Sequence, residues 1–495
     1  MIDSLAEKGQ EALKELSKKS QQEINDIVHQ MSMAAVDQHM HLAKLAYDET
    51  GRGIYEDKAI KNLYASEYIW NSIKDNKTVG IIGEDKQKGL TYVAEPIGVI
   101  CGVTPTTNPT STTIFKAMIA IKTGNPIIFA FHPSAQQSSK HAAKVILEAA
   151  IKAGAPKDCI QWIEIPSIEA TKQLMNHKDI ALVLATGGSG MVKSAYSTGK
   201  PALGVGPGNV PTYIEKTAHI KRAVNDIIGS KTFDNGMICA SEQVMVVDKE
   251  IYSDVVKEFK LHHTYFVNKN QLQQLEYAIM NEDKTAVKPD IVGKSAVSIA
   301  KLSGISVPEK TKLLVAEIDG IGKDYPLSRE KLSPVLAMVT AKSTRHALQI
   351  CEDTLNFGGL GHTAVIHTED SQLQQKFGLK MKACRVLVNT PSAVGGIGNM
   401  YNELIPSLTL GCGSYGRNSI SHNVSAVDLL NIKTIAKRRN NMQWFKLPPK
   451  VYFEENSVMY LTEMDNVERV MIVCDPGMVN ICLLYTSLMA RGRRV

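Results

Sequence analysis

Apolar positions recur at helical spacing along the opening of the chain and at strand spacing after it. Between Ser4 and about Asp48, Leu5, Leu13, Leu16, Ile24, Ile27, Val28, Met31, Ala35 and Leu42 fall on shared helical faces, which predicts one or two long amphipathic helices. From Thr78 to Ile100 two β-rich runs flank a polar turn, Gly83 to Gly89, and predict a hairpin that projects from the body. Beyond it, apolar strands (Val99 to Val103, Pro126 to Ala130, Cys159 to Ile163, Ile180 to Leu184, Thr212 to Ile214) alternate with helical stretches such as Gln136 to Ala153 and Ile168 to Asn176. That alternation predicts a parallel, doubly wound α/β sheet. A second series follows, through Gln243 to Val247, Leu313 to Val315, Val335 to Val339 and Val386 to Asn389, and predicts a second α/β domain. Pro448-Pro449 resists helix and ladder alike, so a domain ends near Leu447 and a linker follows.

Composition narrows the function classes. The 495 residues are 44% hydrophobic and 21% charged, as in globular proteins with large cores. A net charge of +6 with no long Lys/Arg run argues against a nucleic-acid partner. Eight cysteines show no CxxC and no framework spacing, which fits reduced thiols and a cytoplasmic protein. The N-terminus is charged throughout, unlike a secretory signal, and no window is long enough to span a bilayer. His39 and His41 lie two apart on a helix and point in different directions, so no metal site is read there.

One cysteine has a different setting. In FDNGMICASEQ, Cys239 follows the turn-forming Asn235-Gly236 and precedes Ala240-Ser241-Glu242, which reads as a helix opening. A helix N-terminus favours the thiolate, so this is a place for a reactive thiol. Attack on a carbonyl makes an oxyanion, and Asn108 in TPTTNPTST offers an amide to meet it; taken alone, Asn108 is more often a turn residue, and the segment counts only in combination with others. Two glycine-rich stretches, ATGGSGMVKSA from Ala185 and PALGVGPGNVP from Pro201, read either as backbone cradles for phosphate or as tight strand-to-helix turns. Neither matches GxGxxG.

Together with EPIGVICGVTPTTNPTST, REKLSPVLAM, GGLGHTAVIHT and NTPSAVGGIG...LTLGCGSYGRNSIS, these segments resemble the aldehyde dehydrogenase domain of the bifunctional aldehyde-alcohol dehydrogenases, CoA-acylating members of the aldehyde dehydrogenase superfamily. The resemblance covers about residues 1 to 447. It implies the aldehyde dehydrogenase fold: an NAD-binding, Rossmann-like domain over 1–234 with an oligomerisation hairpin at about 78–100, a catalytic domain over 235–405 and a return segment over 406–447. It also implies interconversion of acetyl-CoA and acetaldehyde with NAD and coenzyme A, Cys239 as nucleophile and Asn108 in the oxyanion hole. Gly187, Gly188, Gly204 and Gly206, with Gly208, become cofactor glycines. Glu330 takes the place of the acid that holds the nicotinamide ribose, or is simply a helix-start carboxylate. His362 either handles a proton or positions CoA, or is a packed histidine at a strand start. Where hydrolytic relatives carry a glutamate in an ELGGK-type segment, this chain has LGVGPGNVP, so CoA and not water is the expected acceptor. The hairpin implies a homodimer or larger assembly, and full-length relatives form filaments. Residues 448–495 read as a linker and the start of an iron-dependent alcohol dehydrogenase domain, beginning with NVERVMIVCDPGMV and then departing from the pattern, so alcohol oxidation is not expected. The alternatives are a longer-chain acyl-CoA reductase of the same superfamily and a non-catalytic assembly subunit.

Overall fold

The helical periodicity at the start resolves into three helices, α1 (Ile2–Leu16), α2 (Gln21–Asp37) and α3 (His39–Thr50), followed by α4 (Tyr55–Leu63) and α5 (Ile69–Ile73). Ser20 starts α2 with a reciprocal cap: its hydroxyl accepts the Glu23 N–H, and the Glu23 carboxylate accepts the Ser20 N–H. Gly51, at φ +60°, ends α3 in the left-handed region. These breaks divide what periodicity alone reads as one or two helices. The computed structural model describes residues 1–438, 449, 451–466 and 469. The chain forms two units, Met1–Lys437 and Arg438–Val495. The proposed domain end near Leu447 and nearly all of the segment Asn466 to Val479 lie outside the described residues.

β1 (Gly80–Asp85) and β2 (Leu90–Pro96) form the expected antiparallel hairpin. A five-stranded parallel sheet follows, built from β3 (Val99–Val103), β4 (Ile127–Ala130), β5 (Ile160–Trp162), β6 (Ile180–Thr186) and β7 (Ala202–Val205) in the order β5-β4-β3-β6-β7. Its strands are buried, and the crossover helices α6 (Pro109–Lys122), α7 (Gln136–Lys152), α8 (Ile168–Asn176) and α9 (Ser189–Tyr196) cover it. The strand order reverses between β3 and β6. The carboxyl ends of those two strands therefore diverge into a crevice, the usual ligand position in such sheets.

The seven-stranded parallel sheet contains β8 (Val210–Ile214), β9 (Glu242–Asp248), β10 (Thr264–Val267), β11 (Leu313–Glu317), β12 (Val335–Ala341), β13 (Gly361–His367) and β14 (Ala383–Val388) in the order β10-β11-β12-β9-β8-β13-β14. The strand around Thr212 to Ile214, grouped by spacing with the first series, belongs here, with Thr212 paired to Met245 of β9 and to Val365 of β13. The chain changes sheets in the short Gly206 to Asn209 connection. The return segment supplies a strand of its own, β15 (Leu430–Ala436), which adds antiparallel to β2 and makes the hairpin a three-stranded sheet, β1-β2-β15. Both faces of β15 are exposed. No helix among the described residues is long and apolar enough to cross a membrane.

Candidate active site

Four segments that precede neighbouring strands of the seven-stranded sheet meet at one edge. The Gly206 to Asn209 connection leads into β8, the Met237 to Ser241 turn into β9, Glu330 to Pro334 into β12, and Gly361-His362 opens β13; β12, β9, β8 and β13 are adjacent in the sheet. This amino-terminal edge lies against the carboxyl ends of β3 and β6. A cavity of about 600 Å³ is lined from both sides, by Val103 and Thr186 at the ends of β3 and β6 with Thr104 and Asn108 beyond β3, and by Cys239 and Glu330 of the second sheet's loops.

Cys239 is partly exposed and lines the cavity. Its setting differs from the expected helix opening: after the turn the chain enters β9, because Gln243-Val244-Met245-Val246-Val247 is a buried, β-branched run. No helix N-terminus faces the sulfur from its own segment. Burial first, then the Glu330 carboxylate, push the thiol up to about 12, against a smaller opposing effect of Arg385. The free chain therefore holds this thiol protonated, contrary to the thiolate expected from the sequence.

Asn108 lines the same cavity as the N-cap position of α6, although its side chain makes no cap bond. Its Oδ1 accepts a 2.6 Å hydrogen bond from Lys61 Nζ, and its Nδ2 donates to Thr107 Oγ1 (3.2 Å) and to the Met237 carbonyl (3.3 Å), two residues before Cys239. Glu330 is the one carboxylate lining the cavity among the described residues. Its Oε1 accepts the Gly208 N–H at 3.0 Å, and burial outweighs that bond to raise the carboxyl to about 7. It sits in a loop before β12 and starts no helix.

The glycines separate into two kinds. Gly187, Gly188 and Gly206 line the cavity, and a Cβ on Gly188 or Gly206 would meet nothing within 4 Å. Gly204 does not line it: this residue lies within β7, where a Cβ would come within 3.0 Å of Tyr196 and Val192, so packing of α9 is what its small size serves. Gly208 is required by backbone approach, since a Cβ there would lie 2.0 Å from the Cys239 carbonyl oxygen. His362 is fully buried and lines no part of the cavity. Its Nδ1 pairs with Thr363 Oγ1 at 2.9 Å, its Nε2 has no partner, and burial with Arg385 nearby keeps the ring neutral. The ring stands behind Gly208, 3.1 Å from where a Cβ would be, so it adjoins the Cys239 loop without facing the opening.

The residues present fit a dinucleotide over the switch point. Thr104 Oγ1 and Thr186 Oγ1 are buried at the ends of β3 and β6 with no hydrogen-bond partner, and both residues line the cavity beside the bare backbone of Gly187 and Gly188. The far end is lined by Phe131, His132, Pro133, Ser167 and Ile168. Among the described residues no arginine lines it; Arg52 acts on His132 only through space, adding to burial in lowering its pKa. Sequence reasoning missed Lys61, Thr104, Thr186 and Asp234, whose roles depend on contacts between distant segments.

The sequence model of the aldehyde dehydrogenase family matches residues 1–399. The chain is 56% identical over 460 residues to the aldehyde-alcohol dehydrogenase of Streptococcus pneumoniae serotype 4, an alignment covering 92% of this chain and 52% of that protein. It is 40% identical to the succinate-semialdehyde dehydrogenase (acetylating) of Clostridium kluyveri, covering 88% of this chain and 95% of the relative. An acetylating aldehyde dehydrogenase from Geobacillus thermoglucosidasius superimposes with a TM-score of 0.87 at 47% identity, covering 90% of this chain and 98% of the other. The chain spans about half the length of the aldehyde-alcohol dehydrogenases it matches.

Proposed function

Because the chain belongs to the aldehyde dehydrogenase family, we propose that it is a CoA-acylating acetaldehyde dehydrogenase, interconverting acetaldehyde, CoA and NAD⁺ with acetyl-CoA and NADH through a thioester on Cys239. One observation carries this reading: a thiol, an amide held by a buried ammonium and a strip of bare glycine backbone line a single cavity at the switch point of a parallel sheet.

In the oxidative direction the Cys239 thiol gives up its proton to solvent, its sulfur adds to the aldehyde carbonyl carbon, and the electron pair of the C=O bond moves onto oxygen. Asn108 Nδ2, which in the ligand-free chain donates to Thr107 Oγ1 and the Met237 carbonyl, would exchange one of these long bonds for that oxyanion. Gly187, Gly188 and Gly206 leave backbone open to the dinucleotide, Thr104 and Thr186 offer it hydroxyls, and Glu330 orients its ribose. A nicotinamide dinucleotide held there would supply the hydride acceptor and positive charge beside a thiol that the chain alone keeps protonated. The acetyl group is then left on Sγ. Glu330, the one carboxylate in the lining among the described residues, is assigned to the ribose, and the LGVGPGNVP segment carries no base for water. The more acidic CoA thiol is the acceptor that does not need one. A lining without arginine among the described residues supports NAD over NADP. Six free cysteines among the described residues fit a reducing cytoplasm.

The test mixes purified protein with acetaldehyde, CoA and NAD⁺ and follows NADH, with propanal and butanal in parallel. Activity in the wild type and none in Cys239→Ala is the expected result. Equal activity in both removes Cys239 from its role, and none in either leaves a non-catalytic subunit.

A further inference from the structure

We propose that Lys61 is a positioning residue for the oxyanion-stabilising amide, its ammonium deciding which end of the Asn108 side chain is turned toward the Cys239 loop. The proposal rests on the reading of Asn108 as the oxyanion donor.

Lys61 sits on α4, 3% exposed, more than forty residues from Asn108 and far from Cys239 in sequence. An ammonium has three N–H groups and accepts nothing. Those of Lys61 have three acceptors within reach: Asn108 Oδ1 at 2.6 Å, Asp234 Oδ2 at 2.6 Å and the Met237 carbonyl at 3.2 Å. With its donors used in this way, Lys61 has none to offer a ligand, although it lines the cavity. It acts through what it holds.

What it holds is the orientation of an amide. The two ends of an asparagine side chain are nearly the same shape and are told apart only by their hydrogen bonds. A lysine can face only the oxygen, so Nδ2 turns the other way, onto the Met237 carbonyl at 3.3 Å and Thr107 Oγ1 at 3.2 Å. The Thr107 hydroxyl can donate as well as accept and so selects neither end, while the Met237 carbonyl only accepts and favours the same end as Lys61, over a longer bond than the 2.6 Å contact to the ammonium. Lys61 is itself held in place. Asp234 is fully buried at φ +48°, its Oδ2 also accepts from Lys58 Nζ at 3.1 Å, and its Oδ1 accepts the Ile54 N–H at 2.7 Å. The Asp234 N–H in turn donates to Asp57 Oδ2 at 2.7 Å. Gly53, at φ +81°, makes room for this carboxylate, for a Cβ there would fall 1.9 Å from Oδ1. The loop carrying the nucleophile and the helix carrying Lys61 are thus clamped together by groups that the chemical steps do not otherwise use.

A double-mutant cycle tests the proposal, with Lys61→Met, Asn108→Ala and the double variant assayed for acetaldehyde-, CoA- and NAD⁺-dependent NADH formation. Asn108→Ala is expected to lower kcat on the order of 10²-fold to 10³-fold. Lys61→Met should lower kcat by a comparable factor while the KM for NAD⁺ stays within about threefold, and should cost almost nothing further in the Asn108→Ala background. Multiplying losses in the double variant, or full kcat in Lys61→Met, would overturn the positioning role and leave Asn108 in place. Full kcat in Asn108→Ala would instead remove the oxyanion reading. If Lys61→Met fails to fold, Lys61→Arg keeps the charge but moves the donors, and the same masking by Asn108→Ala is required of it.

Discussion

A thiol pushed up to about 12 carries almost no thiolate at neutral pH, so the chemistry of Cys239 has to be switched on by what binds beside it. In the ligand-free protein, iodoacetamide labelling mapped to Cys239 should rise roughly tenfold per pH unit from about pH 7 to about pH 9, without levelling. A plateau near neutrality would show a resting thiolate. Glu330 gives the second pH dependence. Its folded value, about 7, lies above the ordinary 4.5, so the folded chain keeps a proton that the unfolded chain releases in between. The associated stability is present below about 4.5 and lost as the pH climbs toward 7. Glu330→Gln removes this dependence: its melting temperature should gain on the wild type across that window while its KM for NAD⁺ rises, and parallel melting curves would exclude the shift. Cys239 and Asn108 could be singled out in the sequence because each stands in a local signal, a cysteine after Asn-Gly and an asparagine between threonines. Lys61 and Asp234 could not, since KNLY and FDNG show nothing of the ion pair that joins them across 173 positions.

The connection between β7 and β8 carries the next expectation, because its glycines do different work four residues or fewer apart. A Cβ on Gly206 meets nothing, so Gly206→Ala should melt like the wild type and show its loss in the KM for NAD⁺. A Cβ on Gly208 runs into the Cys239 carbonyl at 2.0 Å and into the His362 ring, so Gly208→Ala should both melt lower and lose kcat. Thermal melts read beside steady-state kinetics distinguish the two, and equal behaviour would contradict the geometry. The same connection explains what could be read of the fold. Buried parallel strands such as Val99–Val103 and Ile180–Thr186 are continuous apolar runs and stand out against their helices. Sheet membership does not show in such a run, and the strand ending at Ile214, which by spacing falls in with the five-stranded sheet, pairs in the seven-stranded one. β15 escaped altogether: Leu430–Ala436 mixes Asn, Lys and Thr with isoleucine, and its partner β2 lies more than three hundred residues earlier.

For the molecule as a whole, the three-stranded sheet is the feature that the first unit leaves unfinished. Along β15 the side chains are exposed on both faces, and Ile81, Ile432 and Ile435 each keep more than half of their surface in contact with solvent. A sheet of three strands needs an apolar layer against one face to hold its shape, and β2 supplies only a few buried positions. Pairing places Ile81 in register with Val93 and Val93 with Lys433, so Ile81 and Ile435 project from one face and Ile432 from the other. Burial of both faces calls for protein on both sides, which a second copy of the chain can provide by symmetric exchange of the same sheet. Light scattering at micromolar concentration should accordingly give a dimer or a larger assembly. Ile432→Glu combined with Ile435→Glu places one charge on each face and should shift the mass toward the monomer, while the cavity, lined only by residues between Lys61 and Leu410, keeps its shape. A wild-type protein that is monomeric at that concentration, or a double variant that stays assembled, would mean that these isoleucines are surface residues and that the association, if any, lies elsewhere.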